Sequence, residues 1–321
     1  MKLPFLPISV FVLCLVSDMP VVSAQKAIYP VDSSYTVAGS YDKVKKAYPD
    51  IVVAEIEAGP KVVASINLTY KQVGQHELQL DIYSPKGKKN ELRPAVLMIH
   101  GGGWASGARS HMEMMAKDLA RHGYVGIPVS YRLSPEAQYP AGIEDLWDAI
   151  TWIGKNGKKY RIDARQLFVL GASAGAQLAT LLGTTENDAL PYKAATTGKQ
   201  KLIKGIINVD GIVSFIHPEA NAEGSAASRW LGGGRETHWA NWREASPLEY
   251  VDRHSPPILF INGSSPRFHA GRDDLIRHYD EHRIYHDTLE FEDAPHTFWF
   301  FYPWYEPMMD RLLSFLGRQT K

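Results

Sequence analysis

The sequence predicts an α/β sandwich, a mostly parallel, twisted sheet of about eight strands between helix layers. Two observations carry this. Beyond Arg93 the chain alternates short, uninterrupted apolar runs with segments of helical periodicity, and a strand that is apolar on both sides needs cover on both sides, the mark of a parallel sheet. Ahead of Arg93, two β-rich runs instead alternate apolar and polar residues at period two, as antiparallel strands with one wet face do.

The elements follow in order. KVVASINLTYKQV and HELQLDIYSP, from Lys61 to Pro85, are the antiparallel pair, with the turn at Gly74. Next come the strand AVLMIH, the helix MEMMAKDLARHG, the strand YVGIPVSY and a long helix from about Ala141. In that helix Ile143, Leu146, Trp147, Ile150 and Ile153 form one stripe and belong to the core. The strand LFVLG leads into a helix from Ser173; GIINVDG, ILFING, a helix from Arg272, DTLEFED and a final helix to Leu316 complete the alternation. Ile216 to Val251 is long for a simple connection and reads as an excursion over the carboxyl edge of the sheet. No repeat or low-complexity tract divides the chain after residue 60.

The ends and the composition limit what the protein does. Lys2, the apolar run FLPISVFVLCLV (Phe5 to Val16) and the small residues Val22-Ser23-Ala24 before Gln25 have the pattern of a cleaved export signal over residues 1–24. The apolar run is too short to span a bilayer. Residues 25–60 are a lead-in whose order the sequence leaves open, and 61–321 form the α/β domain. The expected product is an exported, periplasmic or secreted protein. Lys+Arg and Asp+Glu each total 35 of 321 residues, and a neutral chain without a basic cluster gives no electrostatic reason for a nucleic-acid partner. The one cysteine, Cys14, lies in the signal, so the mature chain has no thiol for a disulfide, a nucleophile or a metal.

Two glycine-rich corners carry the chemistry. In LFVLGASAG an apolar strand runs through Gly171-Ala172-Ser173-Ala174-Gly175 directly into a helix, which sets Ser173 on the sharp strand-to-helix turn of the G-x-S-x-G type. The competing use of Ser173 is as a helix cap. In MIHGGGW three glycines, Gly101 to Gly103, follow a strand. A serine that attacks an ester generates an oxyanion, which needs preorganised N–H donors; Gly102 and Gly103 supply bare amides, joined by the amide of Ala174. His100 is assigned to fixing this loop.

HGGGW, SYRLSPEAQYPAGIEDLWDAITWI and GASAG, in that order and spacing, resemble the α/β-hydrolase superfamily in its hormone-sensitive-lipase-like and feruloyl-esterase-like branch, over about residues 65 to 318. The resemblance implies an eight-stranded core, a Ser/acid/His triad and no cofactor. In FEDAPHTFWFF it puts the base at His296, just after the last strand. Among the other histidines, His278, His282 and His286 recur every four residues, so a continuous helix would align them on one face, but without an H-E-x-x-H pattern they give no reason to assign a metal.

The acid departs from the family pattern, since ILFINGSSPRFHAGRDD has no carboxylate two or three residues after its glycine. Asp210, ending GIINVD, is one candidate; Asp273 and Asp274 are the others, although acidic residues favour any first helical turn. Arg267 and Arg272 on the loop at the mouth suit an anionic substrate, unless one of them pairs with Asp273 or Asp274. Phe298, Trp299, Tyr302 and Trp304, with Trp230, Trp239 and Trp242, are either sugar-stacking faces or core. The chain from SSPRFHAGRDDLI to APHTFWFFYPWYEP resembles secreted carbohydrate esterases of gut Bacteroidetes, including pectin methylesterases. The expected function is therefore de-esterification of a plant cell-wall polysaccharide, pectin methyl ester preferred. An acetyl or feruloyl esterase on xylan or pectin is the alternative, and a non-catalytic binding module of the same fold is the alternative of another class.

Overall fold

The computed structural model describes residues 33, 35–88, 90–188, 190 and 202–320. The expected export signal lies outside these residues. Of the lead-in, Val37–Val44 forms a helix (α1) and Val52–Val53 a short strand (β1) that pairs antiparallel with Phe301–Tyr302 (β10) near the other end of the chain. Thr36 accepts the Gly39 amide at 2.9 Å and caps α1.

The main sheet has eight strands. Val62–Val73 (β2) and His76–Pro85 (β3) form the antiparallel hairpin at one edge. Arg93–Ile99 (β4), Val125–Val129 (β5), Ile162–Ala172 (β6), Ile203–Val209 (β7), Ile258–Asn262 (β8) and His286–Glu290 (β9) run parallel to one another, in the spatial order β2-β3-β5-β4-β6-β7-β8-β9. Helices Ala141–Asn156 (α3), Ala174–Thr184 (α4), Gly224–Leu231 (α5), Trp239–Glu244 (α6) and Arg272–His282 (α7) pack on one face, with Leu146, Ile150, Leu178, Trp230, Trp242 and Leu275 in a single cluster. Glu113–Arg121 (α2) and Tyr305–Gln319 (α8) bury the other, through Met115, Leu119, Met308 and Phe315. The apolar strands from β4 to β8 are thus sealed from both sides, as their sequence requires.

The strand order reverses at β4. The chain passes from β4 to β5 on one side and then back to β6 on the other, so the loops leaving β4 and β6 diverge and open a crevice at the carboxyl ends, where ligands bind in open α/β sheets. Ile99 of β4 is level with Gly171 of β6. Both glycine-rich corners therefore leave the sheet at the same height, on either side of that crevice.

A buried ion cluster secures the segment that follows β5. Asp145, fully buried on α3, accepts from the Arg132 backbone N–H at 2.9 Å, from its Nε and Nη2 at 2.8 Å each, and from Lys71 Nζ at 2.7 Å. Glu144 at 3.2 Å and Asp148 at 2.7 Å still face Arg132 and Lys71 when Asp145 is removed, but the Arg132 backbone N–H and Nε lose their acceptor in a largely buried site. Asp145→Ala is expected to cost about 3 kcal/mol or more, measured as a lower urea midpoint; an unchanged midpoint would mean that the cluster is structurally idle.

Candidate active site

Ser173 sits between β6 and α4 with φ 55° and ψ −122°, a conformation that a non-glycine residue holds only under constraint from its surroundings. The flanking glycines show the constraint. A Cβ on Gly171 would lie 1.9 Å from the Gly175 carbonyl oxygen, and one on Gly175 would lie 2.1 Å from that of Ile99. The turn closes only because both positions lack a side chain. Ser173 occupies the N-cap position of α4 but makes no side-chain cap bond. Its Oγ instead meets His296 Nε2 at 2.8 Å.

His296 follows β9, and its Nδ1 lies 2.7 Å from Asp210 Oδ2. Asp210, just past β7, is fully buried at φ 54°. Its Oδ1 accepts the Gly263 amide at 3.0 Å and Asn262 Nδ2 at 3.3 Å, and His269 Nε2, 3.1 Å from the Gly263 carbonyl, lies 3.5 Å from Oδ1. Burial by itself would raise this carboxyl, but the hydrogen bonds from His269 and His296 outweigh it and hold the pKa at about 2. The group is therefore ionised at neutral pH. A carboxylate only accepts, so His296 Nδ1 carries the proton, Nε2 is the acceptor, and Ser173 donates its Oγ–H.

The structure brings Asp210 to His296 and leaves the other two candidate carboxylates elsewhere. Asp273 is largely exposed and pairs with Arg272, while Asp274 pairs with Arg277 and lies 3.5 Å from His217. Both stand in the first turn of α7, where the helix dipole accounts for them.

The triple-glycine corner turns back on itself. The Gly102 carbonyl accepts from the amides of Ala105 and Ser106 at 3.1 and 3.0 Å and from Ser106 Oγ at 2.9 Å. Gly103 and Trp104 follow at φ 58° and 59°. Gly103 and Ala174, the first residue of α4, line a small cleft with Ser173, Trp104, Gly211, Ile212 and Phe268, about 250 Å³ including its open mouth. Gly102 stands one residue behind that lining. A positive φ is rare for a tryptophan, and packing holds it: the Trp104 ring stacks on Trp230 at 5.0 Å, and its Nε1 donates to Gln177 Oε1 at 2.9 Å. His100 is buried beneath the corner. Its Nδ1 meets the Gly101 carbonyl at 2.9 Å, its ring stacks on Tyr131, and burial pushes its pKa down to about 4. It is a neutral strut.

One sequence expectation needs correction. Arg272, assigned to substrate, has its guanidinium engaged within the chain by Asp273 at 2.9 Å, Asn262 at 3.0 Å and Glu290, and its side chain is only 12% exposed. Arg267 is exposed, its guanidinium 4.6 Å from the centre of the Phe268 ring that lines the cleft. The aromatic residues are mostly core. Phe298, Trp299, Trp304, Trp230 and Trp242 are buried, whereas Trp239 is 50% exposed. Among the histidines, α7 ends at His282 and His286 begins β9, so the run shares no continuous helix face.

Several residues of the site were not assigned from the sequence. Phe268 lies flat on the His296 ring at 3.3 Å and 9°, Asn262 and His269 hold Asp210, and Gln177 anchors Trp104. Asn262 carried a signal. It ends an apolar strand as Asp210 does, and the Asp210 amide donates to the Ile261 carbonyl at 2.8 Å, so adjacency of β7 and β8 implies their contact.

Comparison with known proteins identifies the family and the fold. Residues 80–268 match the BD-FAE family. Esterase LipC of Mycobacterium tuberculosis is 28% identical over 194 residues, 58% of this chain and 47% of its own length. Arylacetamide deacetylase of Oryctolagus cuniculus is 35% identical over 118 residues, 35% of this chain and 30% of its own. The chain thus spans under half the length of these curated relatives. Among solved structures, a bifunctional GH43-CE protein of Bacteroides eggerthii superposes with a TM-score of 0.67 at 20% identity, over 80% of this chain and 38% of the other. Esterase B from Lactobacillus rhamnosis gives 0.68 at 21% identity, over 88% and 93%. At these identities the structural likeness speaks for the fold, and the family match, which covers more than half of the chain, goes further. The chain belongs to the BD-FAE family, and its fold is that of the α/β-hydrolase superfamily.

Proposed function

We propose that the protein is an exported serine carboxylic ester hydrolase acting on an esterified plant polysaccharide, with Ser173 as nucleophile, His296 as general base and acid, and Asp210 as the triad acid. The single observation that carries this reading is the unbroken chain from Ser173 Oγ through His296 to Asp210, at 2.8 and 2.7 Å. Ser173 attacks the ester carbonyl as His296 Nε2 takes its proton. The amides of Gly103 and Ala174, with Gly102 behind them, stabilise the oxyanion at the cleft wall. His296 then gives the proton to the departing alcohol, and water, activated by the same imidazole, releases the acid. Asp210, anionic throughout, holds the tautomer and stabilises the imidazolium.

Pectin methyl ester is the substrate this reading prefers. The Bacteroides eggerthii neighbour, whose description joins a GH43 unit to a CE unit, supports a carbohydrate ester, and Arg267, beside the cleft-lining Phe268, suits a uronate carboxylate. Arg267→Ala should then raise KM on pectin about tenfold, the value of one charge-assisted hydrogen bond, and leave KM on p-nitrophenyl acetate unchanged. Equal changes on both substrates would remove the uronate argument. An acetyl ester is the second reading, favoured by the narrow cleft that Trp104, Ile212 and Phe268 leave beside Ser173. Methanol against acetate release from pectin and acetylated xylan separates the two. Recovery of a periplasmic or secreted product beginning at Gln25 would support export, and retention of residues 1–24 would refute it.

A further inference from the structure

Behind the proposed triad lies a second line of contacts that reaches the far side of Asp210. Asn262 is fully buried at the end of β8. Its Nδ2 donates to Asp210 Oδ1 at 3.3 Å, and its Oδ1 accepts from Arg272 Nη1 at 3.0 Å. Arg272 is held in turn by Glu290 on β9, which lies level with Asn262 in the sheet, and by Asp273 on α7.

We propose that Arg272 and Asn262 are a positioning pair for the triad, with the guanidinium dictating which way round the asparagine amide stands. A guanidinium has five donors and no acceptor, so the asparagine atom facing it must be the oxygen. The amide NH2 is then turned to Asp210. The reversed amide would set donor against donor at Arg272 and oxygen against carboxylate at Asp210, two unsatisfied contacts in a buried site. With Asn262, the Gly263 amide and His269 gathered on Oδ1, the carboxylate cannot swivel, and Oδ2 alone is presented to His296. This gives Arg272 a use that its sequence position did not suggest.

The charged and titratable groups facing Asp210 and Asn262 are His296 from the loop after β9, His269 from the turn after β8, Arg272 and Asp273 from α7, and Glu290 from β9. Removing the asparagine donor or its guide weakens stabilisation of the carboxylate charge. Asp210 stays ionised where the imidazole titrates, and the less-stabilised carboxylate pulls harder on the imidazolium. This moves the acid limb of kcat/KM to higher pH.

The proposal rests on the serine-esterase reading, so the experiment measures the two separately. Arg272→Met, Arg272→Lys and Asn262→Ala are assayed on p-nitrophenyl acetate across pH, with active sites counted by a serine-directed phosphonate and folding followed by thermal melting. Arg272→Met and Asn262→Ala are expected to lower kcat about tenfold, one hydrogen bond to a charged group, with KM changed less than about twofold and the acid limb raised. Arg272→Lys, which keeps a donor toward Asn262, should recover much of kcat. An acid limb that stays at its wild-type pH in Arg272→Met, whatever happens to the rate or the melting temperature, overturns the pair, and that variant decides the matter if Asn262→Ala does not fold. Wild-type protein that hydrolyses the ester without phosphonate labelling at Ser173 refutes the triad reading and the pair with it. Full labelling with an unmoved acid limb refutes the pair alone.

Discussion

Ser173→Ala is expected to lower kcat/KM on p-nitrophenyl acetate by about 10⁵-fold or more, the scale seen when a nucleophile is removed from a catalytic unit that acts as a whole. Folding should be undisturbed, because the hydroxyl makes no cap bond to α4 and is engaged by His296. Alanine must still adopt the positive φ of the turn, but serine bears the same backbone cost. Whatever activity remains reflects the amides of Gly103 and Ala174 acting without a nucleophile. Intact Ser173→Ala protein that kept wild-type activity would place the chemistry elsewhere and leave the fold as a binding module, the reading of another class that the sequence admits.

Asp210→Asn is expected to lower kcat about 10⁴-fold, and the surroundings of Asp210 explain why an isosteric change does so much. The Oδ1 position is surrounded by the Gly263 amide, Asn262 Nδ2 and His269. An asparagine there must give its oxygen to those donors, so its NH2 faces His296. The imidazole is then forced into the tautomer with the proton on Nε2, which cannot accept from Ser173. Near-normal rates for a folded Asp210→Asn protein would overturn the assignment of the acid. The same carboxyl contributes to stability against pH. Its folded pKa, about 2 against an ordinary value of 3.8, is depressed, so the stability it adds is fully present above the unfolded value and is lost as pH falls toward 2. In Asp210→Asn, the slope of melting temperature between pH 5 and pH 2 should be shallower than in the wild type, with both measured in one buffer series.

Much of the fold and part of the site were legible in the chain, for reasons visible at particular residues. The core strands β4 to β8 could be read because burial on both faces leaves an uninterrupted apolar run. Ser173 could be read because a strand, two glycines and a helix meet around it, and only glycine tolerates a Cβ-free approach of about 2 Å to backbone carbonyls. These signals are local, written within ten residues or so of the position they describe. The aromatic residues were ambiguous for the opposite reason: a tryptophan near His296 reads alike whether it stacks on a ligand or fills the core.

What only the tertiary structure decided was which distant partners meet. Asp210 and His296 are 86 residues apart, and selecting that carboxylate over Asp273 depended on the order of β7, β8 and β9 in the sheet. Arg272 was misread because a guanidinium serves an external anion or its own chain equally well, and the presence of Glu290 beside it follows from strand register rather than from sequence spacing. Local sequence determined the glycine-lined corner and the serine turn, since backbone sterics act over a few residues. The sheet determined the partners, because hydrogen bonds and charges act through space between strands that the chain visits in another order.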